Sequence, residues 1–436
     1  MLPSRASVVV VGGGPAGFMA AIAAAEAAAG QLRGGVLLLE STPEPLHKVL
    51  ISGGGRCNVT HACWDPRLLV DHYPRGGKAL RGPFSRFAPG DTVAWFQAHG
   101  LQLVEEPDGR LFPRSNRSSS VIDTLRRAAT AAGVAVHTAE AGQAAEALPG
   151  GGFRLRLRSG AELLAEHLVL ATGSHPSGHR IAASLGHGLV APVPSLFTLT
   201  LADHPLLALA GVAMDPVQLE LLLTPLADTG AAATASAPGA PGKPQRQRGP
   251  VLITHWGLSG PATLRLTAFA ARALRERRYR AELRVDWTGG RRPAELEGWF
   301  AAARREQARR QLGNWRPWPD LSRRLWLHLL ALAGLDASLR WADLPRRGEQ
   351  ALVTALRDSR YRVSGRGPFG EEFVTAGGIP LAEVNLATME SRLQPGLFLV
   401  GELLDVDGVT GGFNFQHCWS SGWLAGQALA AQITGA

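Results

Sequence analysis

The first forty residues alternate between apolar runs and glycines in a way that predicts a strand, a helix and a second strand. Residues 8–11 are all valine, and an alanine-rich segment follows and ends at Gly30. A second apolar run, residues 36–39, ends at Glu40. Short, continuous apolar runs on either side of a longer helical segment are typical of buried parallel strands joined by a crossover helix. We therefore expect a strand–helix–strand unit of an α/β fold.

The glycines between the first strand and the helix have the spacing of a dinucleotide-binding loop. Gly12, Gly14 and Gly17 form the pattern G-x-G-x-x-G. Such glycines permit a tight turn, let the backbone approach a pyrophosphate and let the helix pack closely on the strand. The helix N-terminus then favours phosphate. Glu40 follows Gly17 by 23 residues, close to the spacing of about 20 at which an acid binds a ribose 2′-hydroxyl.

A second glycine-rich stretch follows the second strand. Residues 53–55 are three successive glycines, and Arg56, Cys57 and Asn58 come directly after them. Glycines permit unusual backbone angles, and their N–H groups can form an anion-binding concavity, to which Lys48 and Arg56 would add charge. The alternative is a structural turn. We favour a ligand-binding loop, because it lies past the carboxyl end of a strand, where such folds bind ligands.

The middle of the chain has a different pattern, which predicts an insertion. Short apolar runs from about residue 195 indicate a β-rich domain, and apolar periodicity at 320–334 and 344–358 indicates helices. The Ala/Gly/Pro/Ser-rich stretch 227–250 is typical of a flexible surface excursion. The expected domains are the first part of a nucleotide-binding domain, an inserted β-rich domain, a small helical subdomain and the second part of the nucleotide-binding domain: residues 1–194, 195–318, 319–360 and 361–436.

The last forty residues predict a flavin rather than a nicotinamide as the resident cofactor. A buried strand at 397–400 ends at Gly401 and Glu402, and Gly411 and Gly412 precede a long helix. The acid can bind ribityl hydroxyls, and the helix N-terminus can stabilise negative charge on a reduced flavin. A plain βα turn is the alternative, but such turns need only about 2–6 residues.

Composition excludes several protein classes. The 436 residues are 45% hydrophobic and 19% charged, as in globular proteins, and no apolar run reaches the roughly 18 residues of a membrane span. We found no signal peptide, and three cysteines without zinc spacing predict a cytoplasmic protein and no metal site. The net charge of +9 is concentrated at 271–324, which contains 15 arginines and 7 acids. A nucleic-acid surface is one reading of this segment, but a solvated helical surface is favoured.

Six motifs in this order resemble one family. They are Gly12–Gly17, His47-Lys48, Ser52–Asn58, Gly109–Pro113, Thr254–Ala262 and Gly401–Asn414. The chain resembles the bacterial BaiN/RdsA-like (YhiN-like) NAD(P)/FAD-dependent oxidoreductases. The resemblance implies a Rossmann-like FAD-binding domain built from both chain ends, with an inserted β-rich, barrel-like domain and a small helical subdomain. It also implies that Val136 lies near the adenine and that Thr172 and Gly173 lie near the cofactor.

Motifs and resemblance together predict an FAD site, whose residues are Gly12, Gly14, Pro15, Ala16, Gly17, Glu40, Lys48, Gly54, Gly55, Arg56, Cys57, Asn58, Val136, Thr172, Gly173, Gly401, Glu402, Gly411, Gly412, Phe413 and Asn414. No catalytic residue is named. Cys57 could be a reactive thiol, but a small packing residue is favoured. His417 and His255 could be acid–base groups, but hydrogen-bonded structural histidines are favoured.

The expected function is an FAD-dependent oxidoreductase that passes a hydride or electron pair between a reductant and a small organic substrate. NAD(P)H is one candidate reductant, although no second dinucleotide loop is visible. One alternative is an FAD-containing protein that binds or modifies RNA through its arginine-rich insert, and another is a flavin-binding regulator without turnover. The substrate and the oligomeric state stay open.

Overall fold

The computed structural model describes residues 2–32, 34–223, 245–367 and 374–435. The chain forms two compact units. The split unit consists of Met1–Pro192 and Val374–Ala436, and the inserted unit is Val193–Phe373. None of the described helices has the length and apolar character that a membrane crossing requires.

The secondary structure follows the order of the chain. Before the insertion the strands are β1 Arg5–Val11, β2 Val36–Leu39, β3 Thr60–His61, β4 Leu103–Glu105, β5 Arg110–Pro113, β6 Ala135–His137, β7 Gly142–Ala147, β8 Phe153–Leu157, β9 Glu162–Leu170 and β10 Val190–Ser195. The helices of this part are α1 Pro15–Ala27, α2 His47–Gly55, α3 Pro66–Leu69, α4 Gly77–Arg86, α5 Pro89–Ala98, α6 Ser118–Ala131 and α7 Pro176–Ser184.

The inserted unit has the strands β11 Leu199–Leu201, β12 Ala213–Leu222, β13 Gln245–Ile253, β14 Gly257–Ser259, β15 Ala281–Asp286 and β16 Ser359–Arg366. Its helices are α8 Pro261–Glu276, α9 Pro293–Glu306, α10 Arg323–Leu332 and α11 Arg346–Arg357. The chain then returns to the split unit with β17 Val374–Gly378, β18 Val384–Asn385, β19 Glu390–Ser391, β20 Leu397–Leu399 and α12 Phe413–Thr434.

The main sheet of the split unit brings the two chain ends together. Its strand order is β18-β19-β20-β9-β1-β2-β6, and β8 and β7 continue from β9. β1 is parallel to both of its neighbours and pairs Val8 with Val36 and with His167. β20, from the end of the chain, pairs parallel with β9. The predicted Rossmann-like domain built from both chain ends is therefore confirmed.

Helix α12 packs along α1 because glycines remove side chains from their contact. A Cβ at Gly422 would lie 2.5 Å from the carbonyl oxygen of Ala16, and one at Gly426 would lie 2.6 Å from the Cβ of Ala23. The alanines of α1 are buried against this surface. Small residues on both helices let their backbones approach closely. This packing places the first turns of the two helices in one unit.

The inserted unit is a closed barrel with helices packed on it. The barrel order is β11-β14-β13-β12-β15-β16, which confirms the barrel-like insert. The side chains inside the barrel and those of α9, α10 and α11 belong to one buried apolar cluster, which includes Trp287, Trp326 and Trp341. The helices at 319–360 are therefore part of the inserted unit rather than a separate subdomain.

Two boundaries differ from the sequence-based expectation. The flexible excursion was expected over residues 227–250, but residues 245–250 lie in β13, where Arg246 pairs with Glu220 of β12. The rest of the expected excursion, residues 227–244, lies outside the described residues. The return to the nucleotide-binding domain was expected at residue 361, but β16 pairs with β15 and β11 and closes the barrel. The split unit accordingly resumes at Val374.

Candidate cofactor site

The loop from β1 to α1 is shaped by glycines that have no room for a side chain. A Cβ at Gly12 would lie 2.4 Å from the carbonyl oxygen of Ala171, and one at Gly17 would lie 2.0 Å from that of Gly12. Gly14 differs, because nothing lies within 4 Å of the position its Cβ would take. Gly14 is the N-cap of α1, Pro15 follows it, and no side chain caps the helix. The first turn therefore has an open side with free N–H groups, which suits a phosphate.

Glu40 lies beside this loop, at the end of β2. Its Oε2 accepts a hydrogen bond from the N–H of Gly13 at 2.8 Å. Its Oε1 accepts from the hydroxyl of Ser41 and from the N–H of Thr42, and the hydroxyl of Thr42 lies close to both this oxygen and the carbonyl oxygen of Glu44. A carboxylate oxygen has two lone-pair directions, so Oε2 keeps one acceptor site beside the glycine loop. Val136 lies on β6 at the sheet edge, where it pairs with Leu38 of β2.

The second glycine loop is the C-terminal end of α2, where the chain leaves the helical conformation and takes a left-handed backbone. Gly53, Gly54 and Gly55 have φ angles of +57°, +68° and +83°, and nothing lies within 4 Å of a Cβ built on Gly54 or Gly55. Cys57 continues this pattern with φ of +58°, a conformation that costs a non-glycine residue about 1–2 kcal/mol. The loop therefore presents bare backbone on its open side.

The guanidinium of Arg56 does not add free charge to this loop. It forms an ion pair with Glu106, donates to Oδ1 of Asn116 at 2.5 Å and lies 3.9 Å above the ring centre of Phe112. Its positive charge is balanced by that carboxylate. The expectation that Arg56 contributes charge to the concavity is therefore wrong, and Lys48, the other cation expected there, is paired with Glu402.

Lys48 connects the second glycine loop to the end of the chain. Its Nζ lies 2.6 Å from Oε2 of Glu402, whose Oε1 accepts from the N–H of Thr375. A Cβ on Gly173 would lie 3.6 Å from the same carboxylate, and one on Gly401 would lie 2.7 Å from the Cβ of Ala16. Three of the six motifs, those that contain Ala16, Lys48 and Gly401, thus meet near Glu402, together with Gly173. Next to Gly173, Thr172 has a buried hydroxyl without a partner among the described residues.

The glycine turn before α12 packs against the strand that follows the second glycine loop. Gly412 has φ of +90°, and its Cβ would lie 2.7 Å from the backbone of Thr60. In its favoured orientation the side chain of Asn58 accepts from the N–H of Gly412 at 3.0 Å and donates to the carbonyl of Thr60. Asn414 exchanges hydrogen bonds with the backbone of Gly408. These contacts hold the turn and the start of α12 in place.

The family follows from comparison with known proteins. Residues 6–428 match the family described as the HI0933-like protein Rossmann domain. The chain belongs to this family. Membership confirms the resemblance found in the motifs, and it makes the chain a member of a flavoprotein oxidoreductase family with FAD as its cofactor.

Two relatives of this HI0933-like chain have different names. The 3-dehydro-bile acid Δ(4,6)-reductase of Clostridium scindens is 30% identical over 437 residues, which cover 97% of this chain and 98% of the relative. The ribosomal RNA dihydrouridine synthase of Escherichia coli is 30% identical over 447 residues, which cover 98% of both chains. Among solved structures, the 3-ketosteroid Δ1-dehydrogenase of Sterolibacterium denitrificans has a TM-score of 0.53 at 12% identity, covering 99% of this chain and all of that one. This last likeness shows a shared fold.

The geometry of the HI0933-like chain fits FAD. The sides of Gly14, Gly54 and Gly55 that lack a side chain are open, so a pyrophosphate and a planar ring could approach the backbone there. Glu40 keeps a free acceptor position, and Glu402 lies where the two chain ends meet. Both α1 and α12 begin at a glycine without a side-chain cap.

The buried thiols of this HI0933-like protein are not activated. Burial raises the pKa of Cys57 and of Cys418 to about 12, and burial followed by the nearby carboxylates Asp65 and Asp71 raises that of Cys63. These groups therefore stay protonated at neutral pH, whereas reactive cysteines need a lowered pKa. This agrees with the packing role favoured for Cys57.

The two histidines considered from the sequence differ. His417 is buried, its Nε2–H donates to the carbonyl of Gly401 at 3.1 Å, and burial lowers its pKa to about 4. It is a structural histidine, as favoured. His255 is exposed, and its recorded contact within the described residues is with the ring of Trp256. The expectation that His255 is a hydrogen-bonded structural histidine is therefore wrong for the described residues.

Several side chains around the start of α12 were missed from the sequence. The rings of His61 and His72 stack on Phe413, with ring centres 4.8 and 4.1 Å from it. The hydroxyl of Tyr73 donates to the carbonyl of Phe413, and Gln416 is fully buried beneath the same turn. His61 lies three residues after the motif Ser52–Asn58, and Gln416 lies two residues after the motif Gly401–Asn414. Their closeness to these motifs could have identified them.

Proposed function

We propose that this protein is an FAD-dependent reductase of a carbon–carbon double bond conjugated to a carbonyl group in a small organic molecule, with NAD(P)H as a candidate electron donor. The observation that carries the proposal is the meeting of both chain ends. Lys48 pairs with Glu402, and Gly401 packs on Ala16, so motifs from the two chain ends lie side by side in the split unit.

Each part of the cofactor has a candidate partner in this arrangement. Gly12, Gly14 and Gly17 with the first turn of α1 would hold the pyrophosphate. Glu40 would hold the adenosine ribose. When bound, FAD supplies transfer of a hydride or an electron pair.

The remaining parts of the FAD would lie towards the other elements of the split unit. Val136 would lie near the adenine, and Glu402 would hold the ribityl hydroxyls. The N–H groups that begin α12, behind Gly411 and Gly412, would face the flavin edge that becomes negatively charged on reduction.

The relatives support the class of bond. One is named as a reductase of a bile acid with a 3-oxo group and double bonds at positions 4 and 6. The other is named for making dihydrouridine, the product of adding two hydrogens to the uracil 5,6 double bond. In both substrates the double bonds that are reduced are conjugated to a carbonyl group. Reduction adds a hydride to the carbon distant from the carbonyl and a proton to the adjacent carbon, and the donor is oxidised by two electrons.

Anaerobic spectroscopy of the purified protein tests the proposal. The protein should be yellow after desalting, NADH or NADPH should bleach the flavin, and a 4,6-dien-3-one steroid should restore its absorbance. A protein that is colourless and does not take up added FAD would contradict the proposal. A regulator without turnover would be supported instead if neither NADH nor NADPH reduces the bound flavin, and if the substrate does not reoxidise flavin that dithionite has reduced.

The three free cysteines fit a cytoplasmic location.

A second candidate substrate class, RNA, is favoured by the distribution of charge. The inserted unit contains 26 of the 45 basic residues and 17 of the 36 acidic ones, whereas the split unit contains 19 of each. The whole excess of +9 thus belongs to the insert, as electrostatic binding of a polyanion would require. The name of the Escherichia coli relative points to the same substrate.

Charge neutralisation separates the two substrate classes. Arg309, Arg310 and Arg316 are exposed, and no ion pair is recorded for them within the described residues. Their triple alanine variant should bind a ribosomal RNA fragment less tightly and with a salt slope smaller by about 2–3. A control triple variant at Arg117, Arg126 and Arg156, exposed on the split unit, should bind as wild type does. Absence of binding by wild type at low salt would rule out RNA.

A further inference from the structure

The first turn of α12 rests on a buried polar network centred on Gln416. The side chain of Gln416 is completely buried, as are Thr60, Thr92 and Ser420. Its Oε1 accepts from the hydroxyls of Thr60 at 2.5 Å and Thr92 at 2.9 Å. Its Nε2 donates to Oγ of Ser420 at 3.0 Å. The network joins three separate parts of the split unit at one amide.

The direction of every hydrogen bond in the network is determined. The hydroxyl of Ser420 lies 2.7 Å from the carbonyl oxygen of Phe87, and a carbonyl can only accept. Ser420 therefore donates to Phe87, and its oxygen is left to accept from Nε2 of Gln416. The amide oxygen of Gln416 must then face the two threonine hydroxyls. A buried amide with one allowed orientation and satisfied partners specifies the position of its backbone.

That backbone belongs to the turn that faces the proposed flavin position. Gln416 is the fourth residue of α12, and its N–H donates to the carbonyl of Gly412. Thr60, on the other side of the network, is the residue whose backbone packs against Gly412. The amide thus connects the strand after the second glycine loop with the glycine turn and the helix start. No charged side chain takes part in these bonds.

We propose that Gln416 is a positioning residue that sets the distance between the N-terminus of α12 and the flavin, and thereby the stabilisation of negative charge on the reduced ring. The inference rests on the proposed FAD site. The favourable potential of a helix N-terminus falls off within about one turn, so a shift of this turn changes the electronic properties of the flavin while the fold is kept.

Sulfite titration measures this potential without turnover, because sulfite adds to the flavin and leaves negative charge on its N1–C2=O edge. Gln416→Met keeps the size of the side chain and removes its hydrogen bonds, so the sulfite Kd should rise about threefold to tenfold. Thr60→Val should give a smaller rise in the same direction, and Thr60→Ser, which keeps the hydroxyl, should behave as wild type. Ser391→Ala removes a buried hydroxyl of the split unit that bonds His187 rather than α12, and it serves as the matched control.

The possible outcomes distinguish a failure of the proposed function from a failure of the role proposed for Gln416. Wild-type protein that takes up no FAD overturns the proposed function and this inference with it. If wild type and Gln416→Met both bind flavin and have the same sulfite Kd, the role of Gln416 is overturned while the proposed function stands. If Gln416→Met does not fold, Thr60→Val decides: an unchanged sulfite Kd, or an equal rise in Ser391→Ala, contradicts a positioning role.

Discussion

The two units of this protein differ in net charge and in the size of the side chains that shape them. The split unit has no net charge, and its candidate site is formed by bare backbone at Gly14, Gly54 and Gly55. The inserted unit carries the whole excess of positive charge and seven of the eleven tryptophans. The candidate cofactor site is thus shaped by positions that lack a side chain. The inserted unit is instead shaped by large side chains that fill its core and by charged side chains on its surface.

The cores of the units show the same difference. Helices α1 and α12 approach each other through alanine and glycine, so their backbones lie too close together to accept larger side chains. In the inserted unit Trp326 lies among Trp299, Trp341 and the carbonyl of Leu312, and large rings fill the space between barrel and helices. Four experiments test this contrast.

Trp326→Ala should have the largest effect on stability. It removes a fully buried ring from a core that the helices share with the barrel, at a cost of about 3–5 kcal/mol. Calorimetry should show the barrel and helices unfolding in one transition at lower temperature, with flavin still bound to the split unit. Leu332→Ala, an exposed position on the same helix, should change stability by less than about 0.5 kcal/mol. Separate melting of helices and barrel would contradict a single core.

Gly17→Ala and Gly14→Ala should separate folding from cofactor binding. The added methyl at Gly17 would meet the carbonyl of Gly12, so we expect about 3 kcal/mol of destabilisation and loss of flavin. At Gly14 the methyl meets no protein atom, so the melting temperature of the apoprotein should stay near that of wild type while FAD binding weakens strongly. Full FAD affinity in Gly14→Ala would mean that the pyrophosphate lies elsewhere.

Acid should weaken the split unit through His417. Its pKa is lowered to about 4 by burial, and the unfolded chain takes up the proton near the ordinary value of 6.5. Between these values only the unfolded state is protonated, so the free energy of unfolding falls as the pH falls, by at most about 1.4 kcal/mol per pH unit. His417→Gln keeps a donor for Gly401 and should show a shallower pH dependence in urea unfolding. The exposed His255→Gln should match wild type, and equal slopes in all three would contradict this assignment.

Lys48→Met should have the smallest effect on stability. The side chain of Lys48 is about half exposed, and such ion pairs contribute less than about 1 kcal/mol. The difference from wild type should shrink further at high salt, because exposed charges are screened. Urea unfolding at low and high salt measures this. A salt-independent loss above about 2 kcal/mol would show that the pair with Glu402 is a structural bond between the chain ends.

Much of this arrangement was readable from the sequence because it depends on local rules. Apolar runs predicted β1, β2 and the later strands, and the spacing of Gly12, Gly14 and Gly17 predicted the loop at the start of α1. Glycine tolerates backbone angles that other residues avoid, so its positions in the chain report backbone shape directly. The two glycine-rich ends therefore identified the cofactor class before any contact was known.

The tertiary structure decided what depends on partners distant in the chain. Arg56 pairs with Glu106, because a guanidinium forms strong charge-assisted hydrogen bonds with a nearby carboxylate. Strand β16 belongs to the barrel because a closed barrel needs a sixth strand between β11 and β15. Gln416 meets Thr60 and Thr92 across more than 300 residues. No local pattern encodes such contacts, since they arise only when separate elements pack together. The sequence determined the kinds of elements and the cofactor, and packing determined which side chains hold them in place.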